Sequence, residues 1–163
     1  MGADPIISVS DAIELLDSAI FLDARVGPAA AEAYQSAHLP GAIHVDLESD
    51  LSDLGDPSVG GRHPLPAIEV WLSRLGGWGV TPSHRVVLYD DAGGGMAAAR
   101  AWWMLRAIGH PRVAVVDGGW RALRELGAPT EAGIVCPSAV GSYPSKVDHW
   151  PIVDAELVER VRS

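Results

Sequence analysis

The stretch Val86-Val87-Leu88-Tyr89-Asp90-Asp91-Ala92-Gly93-Gly94-Gly95-Met96-Ala97-Ala98-Ala99-Arg100-Ala101-Trp102-Trp103 decides the fold. A β-branched apolar run ends at two aspartates, passes through a glycine-rich loop and becomes an alanine-rich segment whose apolar residues recur at helical spacing. Strand, loop and helix are predicted in that order. The first amides of a helix have no partner within it, and the helix dipole adds positive potential, so a loop placed there favours an anion. The chemistry then depends on the residue that heads the loop. Here it is Asp90, followed by Asp91, and two carboxylates are poor neighbours for an anionic substrate. Ala92, Gly93, Gly94 and Gly95 contribute only backbone.

Toward the N-terminus, Ala19-Ile20-Phe21-Leu22 is a compact apolar run ending at Asp23-Ala24-Arg25. It places a carboxylate and a guanidinium at a strand's C-terminal end, the edge where open α/β sheets bind ligands. A salt bridge tying the strand end to a loop is the simpler reading of that pair. Before it, Pro5 to Ile7 is a short apolar lead, and Ser8-Val9-Ser10-Asp11 starts a helix carrying Ala12, Ile13, Leu15 and Leu16. After it come a helix over Ala29 to Ala37, stopped by Leu39-Pro40-Gly41, and a short strand, Ile43-His44-Val45. His44 and Asp46 share a strand face, but no further ligand-type residue stands at useful spacing; His38, His63, His84, His110 and His149 are scattered. From Glu48 to Pro66, Asp50, Asp53, Asp56-Pro57, Gly60-Gly61 and Pro64 break any periodicity and predict a long surface loop. Ile68 to Leu75 reads as a helix closed by Gly76-Gly77.

Toward the C-terminus, the helix from Met96 to Ile108 offers Trp102, Trp103, Leu105 and Ile108 to a core. Val113-Ala114-Val115-Val116 reads as a strand buried on both faces, and Asp117-Gly118-Gly119 turns it into a helix from Trp120 to Leu126. Alternating strands and helices of this kind predict an α/β fold with a parallel sheet covered on both sides. Beyond Thr130 the pattern lapses into a linker with Pro137, Gly141 and Pro144. Pro151-Ile152-Val153-Asp154-Ala155-Glu156-Leu157-Val158 then echoes Pro5-Ile6-Ile7 and Asp11-Ala12-Ile13-Glu14-Leu15-Leu16. Such an echo suggests a second copy, cut off after its first helix. The expected division is a domain over residues 1–135, then a linker and the start of a truncated repeat over 136–163.

With 163 residues, 48% apolar and 20% charged, the composition is that of a globular chain. A net charge of -9 argues against nucleic acid or an anionic membrane as a partner. No apolar run reaches membrane-spanning length, and Met1-Gly2-Ala3-Asp4-Pro5 lacks the basic and apolar regions of a signal peptide, so a cytoplasmic location is expected. The one cysteine, Cys136, can form neither an intramolecular disulfide nor a cysteine-based metal site, and no cofactor is expected.

Two families of chemistry compete for the loop. Gly93-x-Gly95-x-x-Ala98, with Asp117 at the end of the next strand, fits a dinucleotide fingerprint. That fingerprint should open its domain, whereas three candidate strands precede it, and Asp90 and Asp91 would face a pyrophosphate. The second reading comes from resemblance. Asp23-Ala24-Arg25, His38-Leu39-Pro40-Gly41-Ala42-Ile43, Val86 to Asp90, Arg100-Ala101-Trp102-Trp103-Met104-Leu105-Arg106, Gly109-His110 and Val115-Val116-Asp117-Gly118-Gly119-Trp120 occur in order over residues 5 to 130. Together they resemble the N-terminal domain of a tandem rhodanese, of the thiosulfate and 3-mercaptopyruvate sulfurtransferase family.

The resemblance implies a three-layer α/β sandwich with a five-stranded, mostly parallel sheet. It implies that a cysteine heading this loop in the catalytic domain carries sulfur as a persulfide, and that Asp90 stands at the matching position here. The chain would then be a non-catalytic half, with Asp90 to Gly95 as an active-site-like loop supported by Asp23 and Arg25. Its partner would be a second rhodanese domain, and its small ligand a sulfur donor such as thiosulfate. The alternative on the same fold is a free-standing binding or regulatory module without chemistry. Cys136 is no substitute nucleophile: it lies in the linker, no helix starts behind it, and Ser142 stands where a Cys-x5-Arg phosphatase has its arginine.

Overall fold

Runs that read as buried on both faces become the middle of one sheet. The computed structural model describes residues 4–55, 58 and 61–162. Its strands are β1 (Ile6–Ile7), β2 (Ala19–Asp23), β3 (Ile43–His44), β4 (Arg85–Tyr89) and β5 (Val113–Val116), in the spatial order β1-β5-β4-β2-β3. Every neighbouring pair is parallel, so the sheet is more uniform than the mostly parallel one expected. β4 is central, as its unbroken apolar run requires, since both faces and both edges are covered.

Alternation along the strands separates two cores. Val86 and Leu88 of β4, with Val113 and Val115 of β5, pack toward helices α3 (Ile68–Gly77) and α4 (Ala97–Ala107), where Trp71, Leu75, Met104 and Leu105 are fully buried. Val87, Tyr89, Phe21 and Val116 pack on the other side against Ala12 of α1 (Val9–Glu14) and Leu123 of α5 (Gly119–Glu125). Helix α2 (Ala30–Ser36) bridges β2 and β3, and α6 (Ala155–Arg162) follows the linker. The result is the expected three-layer sandwich. Each fully buried leucine or phenylalanine contributes about 1.5–3 kcal/mol, and there are enough of them to hold the sheet without disulfides.

Local signals set the helix starts. The Ser8 hydroxyl accepts from the Asp11 amide at 3.1 Å and donates to the Asp11 carboxylate at 2.7 Å, so the Ser-x-x-Asp signature works as an N-cap. One expectation changes. The lead Pro5 to Ile7 contains β1, an edge strand pairing Ile6 with Val115 and Ile7 with Val116; two residues carry too little periodicity to be read locally. Helix α3 ends at Gly77, as the glycine pair predicts, with Gly76 inside its last turn. Gly76 is bare because a Cβ there would lie 2.5 Å from the Gly141 carbonyl oxygen.

The linker lies along the helices. The Val140 amide donates to the Gly76 carbonyl at 2.8 Å, the Tyr143 amide to the Leu72 carbonyl at 3.0 Å, and the Trp150 indole to the Pro66 carbonyl at 2.7 Å. Trp150 also stacks on Trp103 with centroids 5.7 Å apart. No residue of 137–162 joins the sheet. The long connection from Glu48 to Pro66 has neither helix nor strand among the described residues, and three carbonyls in it, of Leu51, His63 and Pro64, accept from the Arg100 guanidinium. Asp56, Pro57 and Gly60 of that loop, and Met1 to Ala3, lie outside the described residues.

Candidate functional site

The C-terminal ends of β2, β4 and β5 meet at one edge. The Ala24 amide donates to the Tyr89 carbonyl at 2.9 Å and the Trp120 amide to the Asp90 carbonyl at 2.8 Å, so the turns after all three strands converge on Asp90. Arg25 and the loop share this edge, as the doubly wound arrangement predicts.

Asp90 is fully buried. Its Oδ1 accepts from the amides of Ala92 at 2.9 Å and Gly94 at 2.7 Å, and its Oδ2 from those of Met96 and Ala98 at 3.1 Å each. The loop therefore curls around its own leading side chain, and the cradle that the sequence offered to an external anion is filled by this carboxylate. An aspartate readily takes amides two residues on, which starts the turn, and the unpartnered amides at the start of α4 complete it. Gly94 makes the path possible. It has φ +89°, and a Cβ on it would lie 2.6 Å from Cγ1 of Val115.

Asp91 does not join its neighbour. Its side chain turns to the surface, with Oδ1 3.4 Å from the Val26 amide, so the loop interior holds one carboxylate rather than two. Ala92, Gly93 and Gly95 are exposed and Gly94 is buried. In front of the loop, Asp91, Ala92, Gly93, Gly118 and Arg121 line a shallow depression of about 290 Å³. Arg121 is a basic group that the loop sequence could not reveal, and it faces Glu125 at 3.6 Å.

Asp23 and Arg25 are spent on each other. The Arg25 guanidinium donates through Nε and Nη2 to the Asp23 carboxylate at 2.7–3.1 Å, and through Nη2 to the Ala37 carbonyl at 2.8 Å. The Tyr89 hydroxyl donates to Asp23 Oδ2 at 2.9 Å and accepts from the Leu39 amide at 3.2 Å; burial first, then the Asp23 charge, holds it far above the ordinary tyrosine range. Trp120 closes the arrangement, stacked 4.3 Å from the Arg25 guanidinium. This pair locks the β2 end beside the loop and presents no free charge to a ligand.

Other groups at the same edge were unremarkable in the sequence. Asp46, Glu48, Arg62, His63 and Met96, with the Val26 to Pro28 turn and Leu47, surround a depression of about 510 Å³. Burial pushes the Asp46 carboxyl up, but the Ser49 amide and hydroxyl and the Glu48 amide outweigh it and hold the group below the usual range. His63 Nε2 lies 4.0 Å from Glu48. Arg100 organises this side from beneath by pinning the loop that carries His63, a role that only the folded chain discloses. No group of three or more metal-ligand side chains occurs among the described residues, His44 and Asp46 included.

The family of rhodanese-like domains matches residues 8–126. The chain belongs to that family. A Pseudomonas aeruginosa protein named "Probable 3-mercaptopyruvate sulfurtransferase" is 46% identical over 130 residues, which is 79% of this chain and 45% of that protein. The 3-mercaptopyruvate sulfurtransferase of Homo sapiens is 34% identical over 122 residues, or 74% of this chain and 39% of its own length. Among solved structures, the 3-mercaptopyruvate sulfurtransferase of Leishmania major matches with a TM-score of 0.76 at 28% identity, over 93% of this chain and 42% of that one. The Escherichia coli enzyme, described under its rhodanese fold, matches with a TM-score of 0.78 at 25% identity, over 98% of this chain and 63% of that one. The chain thus spans less than half the length of these two curated relatives. The rhodanese-like assignment removes the dinucleotide reading, whose cradle Asp90 already fills. No helix among the described residues is long and apolar enough to cross a membrane.

Proposed function

We propose that this rhodanese-like chain is the non-catalytic half of a tandem sulfurtransferase, with Asp90 standing where the catalytic domain has its persulfide-forming cysteine. The observation that carries the reading is the Asp90 carboxylate itself, which takes all four inward amides of the loop. Those amides are the groups that would steady a thiolate or persulfide, and a carboxylate cannot accept a sulfane sulfur in its place. Cys136, the one cysteine, is exposed and stands at the start of the linker. The second rhodanese domain supplies the cysteine in this reading and receives a small donor such as thiosulfate. Residues 1–135 form the present domain, and 151–162, exposed throughout and echoing the first strand and helix, begin its neighbour. A cytoplasmic location goes with this reading.

The test is thiocyanate production from thiosulfate and cyanide by the purified chain and by Asp90→Cys. The wild type is expected to give none, and Asp90→Cys little. A single sulfur atom cannot reproduce the two-oxygen contacts to four amides, and the depression in front of the loop offers an incoming dianion one basic group, Arg121, an exposed guanidinium already facing Glu125. Robust wild-type turnover would refute the non-catalytic assignment. Full activity in the single variant would show that the cysteine alone is missing.

A further inference from the structure

A second charged cleft lies at the opposite edge of the sheet from the glycine loop, and nothing in the proposed function uses it. It has a volume of about 430 Å³ and sits beneath α1. Its walls are segregated by sign. The sheet side contributes Arg85, the first residue of β4, and Arg112, just before β5; the helix side contributes Asp11 and Glu14 of α1, with Asp4 ahead of β1. Ala114 also lines the cleft.

The two arginines are cross-strand neighbours. Val86 pairs with Val113, and the Val86 amide donates to the Arg112 carbonyl at 2.9 Å, so Arg85 and Arg112 stand side by side on the face that α1 covers. Like charges placed directly opposite each other on neighbouring strands are destabilising, and a carboxylate between the two would relieve the repulsion. Here neither guanidinium makes a hydrogen bond or ion pair with another described residue, although three acids line the same cleft; Arg85 is half-buried, which confines its reach, and Arg112 is exposed. Glu14 likewise has no hydrogen bond or ion pair with another described residue, and Asp11, three residues earlier on the same helix face, is held by Ser8.

The geometry points to a binding site for a small zwitterion of the amino-acid or short-peptide class. Its carboxylate would bridge Arg85 and Arg112, relieving their repulsion through charge-assisted hydrogen bonds, and its ammonium would face Glu14 and Asp11. A free inorganic anion would satisfy the arginines but meet the acids, and a free cation the reverse. Both signs on facing walls therefore select a ligand that carries both. The volume suits a molecule of dipeptide size.

Calorimetric titration of the full chain with glycylglycine tests this, against N-acetylglycylglycine, which keeps the carboxylate alone, and inorganic sulfate. Glycylglycine is expected to bind more tightly than either control. Arg85→Gln and Arg112→Gln should each weaken it about tenfold or more, while Glu14→Gln should weaken glycylglycine and leave or improve sulfate. The thermal midpoint of each variant confirms that it is folded. No binding at millimolar glycylglycine, equal binding of glycylglycine and its acetylated form, or binding unchanged by the two arginine substitutions would each overturn the proposal. None of these results bears on the non-catalytic reading of the Asp90 loop.

Discussion

Replacing Asp90 with alanine removes the acceptor of four amides at once. The bonds to Gly94 and Ala98 are buried, whereas those to Ala92 and Met96 are half-buried, so water can reach the second pair and not the first. A buried donor left without a partner costs about 1–3 kcal/mol, and a hydrogen bond to a charged group contributes about 1.5–3 kcal/mol net. With two amides orphaned and two rehydrated, Asp90→Ala should destabilise the chain by about 3–5 kcal/mol, a large share of the roughly 5–15 kcal/mol that holds a domain of this kind. Urea denaturation followed by tryptophan fluorescence measures it, since Trp120 donates its amide to the Asp90 carbonyl. The same variant vacates a cradle built for negative charge, so added formate or acetate should recover part of the loss, about 1.4 kcal/mol at ten times its dissociation constant. Asp90→Asn should fall between wild type and alanine, because its carboxamide nitrogen turns a donor toward two other donors. A cost below about 1 kcal/mol for Asp90→Ala, or indifference to formate, would show that the carboxylate does not organise the loop.

Tyr89→Phe should cost about 1.5–3 kcal/mol, because it orphans the Leu39 amide and takes a buried donor from Asp23; chemical denaturation against wild type reads it, and a neutral result would mean the Asp23–Arg25 pair is satisfied without it. Burial pushes His110 below its ordinary range, so the folded chain resists protonating it and the unfolded chain does not. Stability from this residue is present above about pH 6.5 and lost as pH falls through that value toward the depressed one, at up to about 1.4 kcal/mol per pH unit. Urea midpoints between neutral and acid pH should show this slope, and His110→Asn should flatten it; an unchanged slope would assign the acid limb to another group.

What was legible in the sequence is what depends on neighbours along the chain. Ala19 to Asp23, Val86 to Tyr89 and Val113 to Val116 announce themselves because strands covered on both faces must be continuously apolar. The Ser8 cap is equally local. The Asp23–Arg25 salt bridge could be read because its partners stand two residues apart. Other features are settled by contacts that close only in the folded chain. Gly76 reads only as part of a helix end until residues 140–142 lie across it. Asp90 looks like an obstacle to an anion until its side chain is seen to be the anion, although an aspartate ahead of glycines was already a signal for such a turn. The His63 side of the edge was invisible because Arg100, which pins it, lies far along the chain.

The pairing of β1 with β5 joins Ile6 and Ile7 to residues more than a hundred positions later. Contacts that span so much chain make folding slow, since the loop must close before the pairing rewards it. During synthesis β1 emerges long before β5, and β5 itself can form on β4 while its outer edge waits for a strand already made. In that interval the outer edge of β5 presents unpaired backbone groups able to take up any extended segment. The echoing stretch Pro151-Ile152-Val153 emerges soon afterwards and resembles the strand that belongs there. The order of emergence favours the true strand, which is present first. Denatured chains refolding at high concentration lack that order, and strand exchange at this edge is their natural route to association.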